Sequence, residues 1–117
     1  MDAPLKSVAI VGISHDESNE SNKIARYMKE RGYKIIPINP VAAEILGEKC
    51  YPSLGAAPPV DIVDVFRPSS EVMAIAREAV AMKEKYGKPL VFRAQSIENG
   101  QARAMLEREG IFVVEKW

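Results

Sequence analysis

Ser7-Val8-Ala9-Ile10-Val11-Gly12 is the stretch that decides the fold. Its apolar residues run continuously instead of alternating, which suits a strand covered on both faces, as in a parallel sheet. Gly12 closes the run and permits a tight turn. A polar loop follows over residues 13–21. A helix then starts near Ser21 or Asn22, with Ile24, Ala25 and Met28 recurring on one side and Lys, Arg and Glu on the other. Gly32 stands where a C′ glycine ends such a helix. Tyr33-Lys34-Ile35-Ile36-Pro37-Ile38 is the next strand, with a break expected near Pro37.

Beyond the Asn39-Pro40 turn, residues 41–59 hold Gly47, Pro52, Gly55, Pro58 and Pro59. They read as turns with at most a short helix over residues 42–46. The strand–helix alternation then resumes. Residues 62–66 (IVDVF) form a third strand. A second helix opens at Ser69 or Ser70, with Val72, Ile75, Ala76, Ala79 and Val80 on one face, and Gly87 ends it. Residues 90–92 form a short fourth strand. A third helix is capped near Asn99, carries Ala102, Met105 and Leu106 on its inner face and ends at Gly110. Residues 111–114 form the last strand. Strands that alternate with helices predict a Rossmann-like, three-layer α/β/α domain with right-handed crossovers. Its sheet is expected to be parallel and five-stranded, in the order 3-2-1-4-5. Residues 1–117 read as a single domain, with no linker, repeat or low-complexity tract.

Composition narrows the function. Apolar residues are 47% and charged residues 27%, the balance of a globular protein, and the formal net charge is zero. No global field therefore recruits nucleic acid or an acidic membrane, so an anionic ligand would have to be held by local geometry. One cysteine excludes an internal disulfide, and one histidine with one cysteine gives no metal-ligand spacing. The first seven residues carry no apolar signal core and no run reaches membrane-spanning length, so the expected location is cytoplasmic.

In open α/β sheets, ligands sit beyond the carboxyl ends of the strands where strand order reverses. Three segments are expected to converge there: residues 12–23, Asn39-Pro40 and Phe66-Arg67-Pro68. Gly12 admits close approach, Ser14 offers a hydroxyl and a backbone N–H, and the first helix presents N–H groups with Lys23 and Arg26 in its first turns. These features suit a pyrophosphate. Taken alone, Gly12 reads equally as a turn glycine and Lys23 as a solvated helix residue. Asp16, Glu17 and Glu20 would repel a polyphosphate if they faced inward. The dinucleotide fingerprint is absent: no second or third glycine follows Gly12 before the helix, and Asn39-Pro40 stands where Asp or Glu would hold a ribose.

Several words in order carry a resemblance. They are residues 8–14 (VAIVGIS), 23–27 (KIARY), Gly32-Tyr33, 36–40 (IPINP), 44–49 (EILGEK), 51–54 (YPSL) and 60–67 (VDIVDVFR). Together they resemble the stand-alone CoA-binding domain proteins, which are similar to the N-terminal CoA-binding domain of the succinyl-CoA synthetase α subunit. The match is close over residues 7–79. The resemblance implies coenzyme A lying across the top of the sheet. Gly12, Ile13, Ser14, Asn22 and Lys23 would lie on its phosphate side, and Asn39 and Pro40 would shape the nucleotide side. Val65, Phe66 and Arg67 would line the third-strand crossing, with Tyr51-Pro52 nearby. CoA carries about four negative charges, so basic groups and N–H donors are required. The last third departs from the family: Ala94-Gln95-Ser96 replaces its Gln-x-Gly, and Glu115-Lys116-Trp117 replaces its Arg-Cys ending.

No catalytic group stands out. His15 reads as a loop residue, and adjacency to Asp16 does not make a dyad. Cys50 reads as a half-buried structural thiol, with a mixed disulfide to CoA as the rival reading. Asp61 and Asp64 read as strand-end or cap residues, and Trp117 as a dimer-edge or exposed residue. The expected function is non-catalytic binding of CoA or an acyl-CoA. The alternatives are a nicotinamide-nucleotide-binding reductase and a ligand-free interaction module on the same fold. A homodimer and a ligase partner subunit are both compatible with the sequence.

Overall fold

A computed structural model of the chain describes residues 6–97 and 100–115. Strand β1 is Ser7–Val11, helix α1 Glu20–Glu30 and strand β2 Lys34–Ile38. A small hairpin follows, made of β3 (Glu44–Ile45) and β4 (Glu48–Lys49), and then a 3-10 turn at Leu54–Ala56. Strand β5 (Ile62–Val65), helix α2 (Ser69–Tyr86), strand β6 (Val91–Ala94), helix α3 (Gly100–Arg108) and strand β7 (Phe112–Glu115) complete the order.

The five long strands are all parallel, in the order β2-β1-β5-β6-β7. Numbered in chain order the five long strands read 2-1-3-4-5, and the direction of winding reverses at β1, as it does in the Rossmann order 3-2-1-4-5. The outermost place of that order, beside β2, is held by a single parallel bridge between Tyr51 and Ile38. Alternation of side chains gives each strand one residue set per face. Ala9, Val11, Val63, Val65, Phe92 and Ala94 pack against Val72, Ala76 and Ala79 of α2 and Ala102 and Leu106 of α3. Val8, Ile10 and Ile35 face the other way, against Ala25 and Met28 of α1. The three-layer architecture follows.

Most local signals held. Gly32, Gly87 and Gly110 all have positive φ just past their helices. Helix α1 begins one or two residues earlier than expected because Asn19 caps it, its side chain accepting from the Ser21 N–H. Pro37 does not break β2. The Pro37 carbonyl accepts from Tyr51 N–H at 3.0 Å, so the residue's missing N–H faces away from β1, where no ladder bond is needed. The short helix expected over residues 42–46 is replaced by the β3–β4 hairpin. Leu46 and Gly47 both take positive φ (57° and 75°), the geometry of a two-residue hairpin turn, and Ile45 plugs into the α1-side core. The fourth strand runs later than expected: Leu90 is half exposed and Ala94 pairs with Val65. Asn99, read as a cap, and Trp117, read as a dimer-edge or exposed residue, lie outside the described residues. None of the described helices is long and apolar enough to cross a membrane.

Candidate functional site

The ends of β1, β2 and β5 are knitted at Gly12. Its N–H donates to the Ile38 carbonyl at 3.0 Å, and the next crossing is made by Phe66 N–H donating to the Val11 carbonyl at 2.8 Å. Gly12 has φ +89°, and a Cβ there would lie 2.5 Å from Arg67 Cδ and 2.8 Å from the Phe66 carbonyl oxygen. Only glycine satisfies both the dihedral and the close approach. The stem of Arg67 therefore rests directly on the turn.

The loop after Gly12 is held by its own side chains. Ser14 N–H donates to Ser21 Oγ at 2.9 Å, and Ser21 Oγ donates to Asn19 Oδ1 at 2.7 Å. Asn22 Nδ2 donates to the Ser14 carbonyl at 2.8 Å, while its Oδ1 accepts from Arg26 Nε at 2.9 Å. Arg26 Nη2 also donates to the Glu17 carbonyl. Ser21 and Asn22 are accordingly buried although polar. Asn39 plays the same part from the β2 side. Its Nδ2 donates to the Ile13 carbonyl at 3.0 Å, and its Oδ1 accepts from the N–H groups of Val41 and Ala42.

Above this knot lies a cleft of about 400 Å³. Of the residues expected from sequence, Gly12, Ile13, Ser14, Asn39, Pro40 and Arg67 line it. The three segments predicted to converge do so. Others lie elsewhere. Asn22 is behind the loop, and Lys23 is exposed and outside the lining. Val65 is buried in the α2–α3 core, and Phe66 is half-buried against the α1-side core with its carbonyl beside Gly12. Tyr51 extends the edge of β2, its carbonyl accepting from Asn39 N–H, and leaves the lining to Pro52, Ser53 and Leu54. Pro52 was expected near the site, but the sequence reading missed Ser53 and Leu54 as wall, and missed Glu71, Ile75 and Glu78. Their spacing places them on one stripe of α2, but the stripe is legible only once α2 is known to border the cleft.

A family model described as a CoA binding domain matches residues 6–116. This chain belongs to the CoA-binding domain family. Protein YneT of Bacillus subtilis is 34% identical over 110 residues, covering 93% of this chain and 78% of that protein. An ADP-forming acetate–CoA ligase (II) of Archaeoglobus fulgidus is 34% identical over 114 residues, covering 95% of this chain but only 17% of the ligase. Among solved structures, a hypothetical protein from Pyrococcus horikoshii OT3 superposes with a TM-score of 0.84 at 29% identity, covering 97% of this chain and 78% of that one.

Within this CoA-binding domain fold, the charge at the cleft is local. Arg67 forks onto Glu71, with Nε donating to Oε1 at 3.0 Å and Nη2 to Oε2 at 2.9 Å. The guanidinium hydrogen bond holds the Glu71 carboxyl below its ordinary range. Asp16 and Glu17 on the loop and Glu20 at the start of α1 are exposed and outside the lining, and so is His15. Hydrogen bonds from Ser18 hold the Asp16 carboxyl low. Gln95 and Ser96, the departure from the family pattern, are exposed and outside the lining. Cys50 is buried in the α1-side core, where burial and the nearby Glu44 push its thiol up, the opposite of a reactive thiolate.

The two aspartates of β5 differ. Asp61 ties the strand start: it accepts from Ser7 N–H at 2.8 Å and pairs with Lys88 at 2.9 Å. Asp64 corrects the expectation of a strand-end residue. It sits mid-sheet, paired in register with Ile10 and Arg93, and is fully buried. Neither carboxylate oxygen has a hydrogen-bond partner, and Arg93 Nε is 3.9 Å away. Among the described residues no cluster of three His, Cys, Asp or Glu side chains could hold a metal.

Proposed function

We propose that this chain binds coenzyme A or an acyl-CoA in the cleft over Gly12, as a binding module and not as an enzyme. The observation that carries the reading is the convergence of Gly12-Ile13-Ser14, Asn39-Pro40 and Arg67 on one cleft. The missing Cβ at Gly12 lets the Arg67 stem and the Phe66 carbonyl close onto the turn, which fixes Arg67 at the cleft. Arg67 supplies a cation able to grip phosphate through two N–H groups. Ile38, Leu54 and Ile75 offer apolar wall for the pantetheine arm. Membership of the CoA-binding domain family and likeness to acetate–CoA ligases support the same ligand. Ser14 and Ser53 hydroxyls and the Glu71 and Glu78 carboxylates line the cleft, and among the described lining residues none is a histidine or cysteine, so no imidazole stands beside a serine there.

Thermal unfolding with CoA, acetyl-CoA, NADH and NADPH tests the reading. Ligand at a hundred times its Kd stabilises by about 2.7 kcal/mol, which raises the melting point by roughly ten degrees in a domain of this size. A shift with CoA or acetyl-CoA is expected. An NADPH shift without a CoA shift would replace the proposal by a nicotinamide-binding one, and no shift at millimolar CoA would reject it.

A further inference from the structure

Resting on that reading, we propose that Glu71 is an internal competitor for the ligand's phosphate. It holds the Arg67 guanidinium and must be displaced when an anionic ligand binds there. Arg67 and Glu71 both line the cleft. Arg67 cannot retreat easily, because its stem lies against Gly12 at the turn where β1 ends. Its outward face is the guanidinium fork, and Glu71 fills that fork with two hydrogen bonds, of 3.0 and 2.9 Å. Two parallel N–H donors on two carboxylate oxygens is the arrangement that the same fork makes with a phosphate. Glu71 is also well placed to stay there: it lies in the first turn of α2, where the helix field favours a negative charge. The pair is part exposed, 44% on each side chain, so it is held weakly enough to be exchanged.

The consequence is selectivity by charge. A ligand with a phosphate oxygen can replace Glu71 on Arg67. A neutral ligand leaves the pair intact and gains nothing from the cation. Glu71→Gln should therefore tighten binding of CoA by about two- to fivefold, the range an exposed ion pair supports, and leave the affinity for pantetheine unchanged. Glu78 is the comparison. It lines the same wall, so Glu78→Gln removes the same charge without touching the Arg67 fork.

Calorimetric titration of CoA and pantetheine into the wild type and the two variants decides the matter, with thermal unfolding confirming that each variant is folded. If Glu71→Gln fails to fold, Glu71→Ala serves in its place, and the NMR signal of Arg67 Nε–H reports the exchange in the wild type. That signal is expected to move on adding CoA and stay still on adding pantetheine. A gain for CoA at Glu71 exceeding that at Glu78 supports the exchange. An equal gain at both would show a general charge effect and overturn it. A wild type that binds CoA while Glu71→Gln binds no better would sink the exchange and leave the CoA reading standing. A wild type and variants that all ignore CoA would remove both.

Discussion

Replacing Asp64 by Asn should stabilise the protein at neutral pH and remove a pH dependence that the wild type shows. Asp64 has no exposure, neither oxygen accepts a hydrogen bond, and the nearest cation, Arg93, is 3.9 Å away. Burial raises its pKa from 3.8 to about 6. The attraction of Arg93 opposes this rise and the charge of Glu20 adds to it. At about 1.4 kcal/mol per pH unit, the rise corresponds to about 3 kcal/mol. The sign follows from proton counting. Between the unfolded value near 4 and the folded value near 6, the folded chain holds a proton that the unfolded chain has released. Stability therefore falls as pH rises through this window, and the loss is complete above about pH 6 to 7. Asp61 and Glu71 act in the opposite sense at lower pH. Their carboxyls are held low, by the Ser7 N–H and by Arg67, so their contribution is lost only as pH falls below about 4. The measurement is urea unfolding followed by circular dichroism from pH 5 to 7.5, in a His15→Gln background that removes the only imidazole. The wild-type midpoint should fall with rising pH at constant m-value. Asp64→Asn should be flat across the range and more stable at pH 7.5 by up to about 3 kcal/mol. A wild-type midpoint that stays level or rises from pH 5 to 7, with Asp64→Asn running parallel to it, would refute the reasoning.

Two further substitutions test the architecture of the cleft. Gly12→Ala forces a side chain into φ +89° and against Arg67 Cδ and the Phe66 carbonyl; the backbone alone should cost about 1–3 kcal/mol, read as a lowered urea midpoint, and CoA binding should fall with it. Asn39→Ala removes the clasp on the Ile13 carbonyl and the Val41 and Ala42 N–H groups. It should cost about 1–3 kcal/mol and speed amide exchange at Val41 and Ala42 more than at Ala9. Uniform exchange across these sites would show that Asn39 holds nothing local.

The β-α alternation was legible because each element carried its own local signal. Continuous apolar runs marked the buried strands, the α2 face repeated at helical spacing, and Gly32, Gly87 and Gly110 stopped their helices at positive φ. The hairpin around Leu46-Gly47 was not legible, because a leucine in the left-handed region is held there by Ile45 and Leu46 packing on the α1-side core, not by local preference. Strand topology and the family resemblance likewise pointed to Gly12, Asn39 and Arg67 as neighbours, and all three line one cleft. Lys23 and Val65 are the counterexamples. A basic residue near a helix start and a residue before a strand end have no sequence mark for the side they face.

Local chain preference and hydrophobic spacing, which act over a few residues, were thus enough by themselves to set the three helices and five long strands, their parallel arrangement and the reversal point at β1. What crosses the chain had to await the folded form. The Gly12 contact with Arg67, the Arg67–Glu71 fork at the cleft and the burial of Asp64 between β1 and β6 all join or surround residues from separate elements. Distances, desolvation and competition between charges depend on which surfaces meet, and only packing of the sheet against its helices brings those surfaces together.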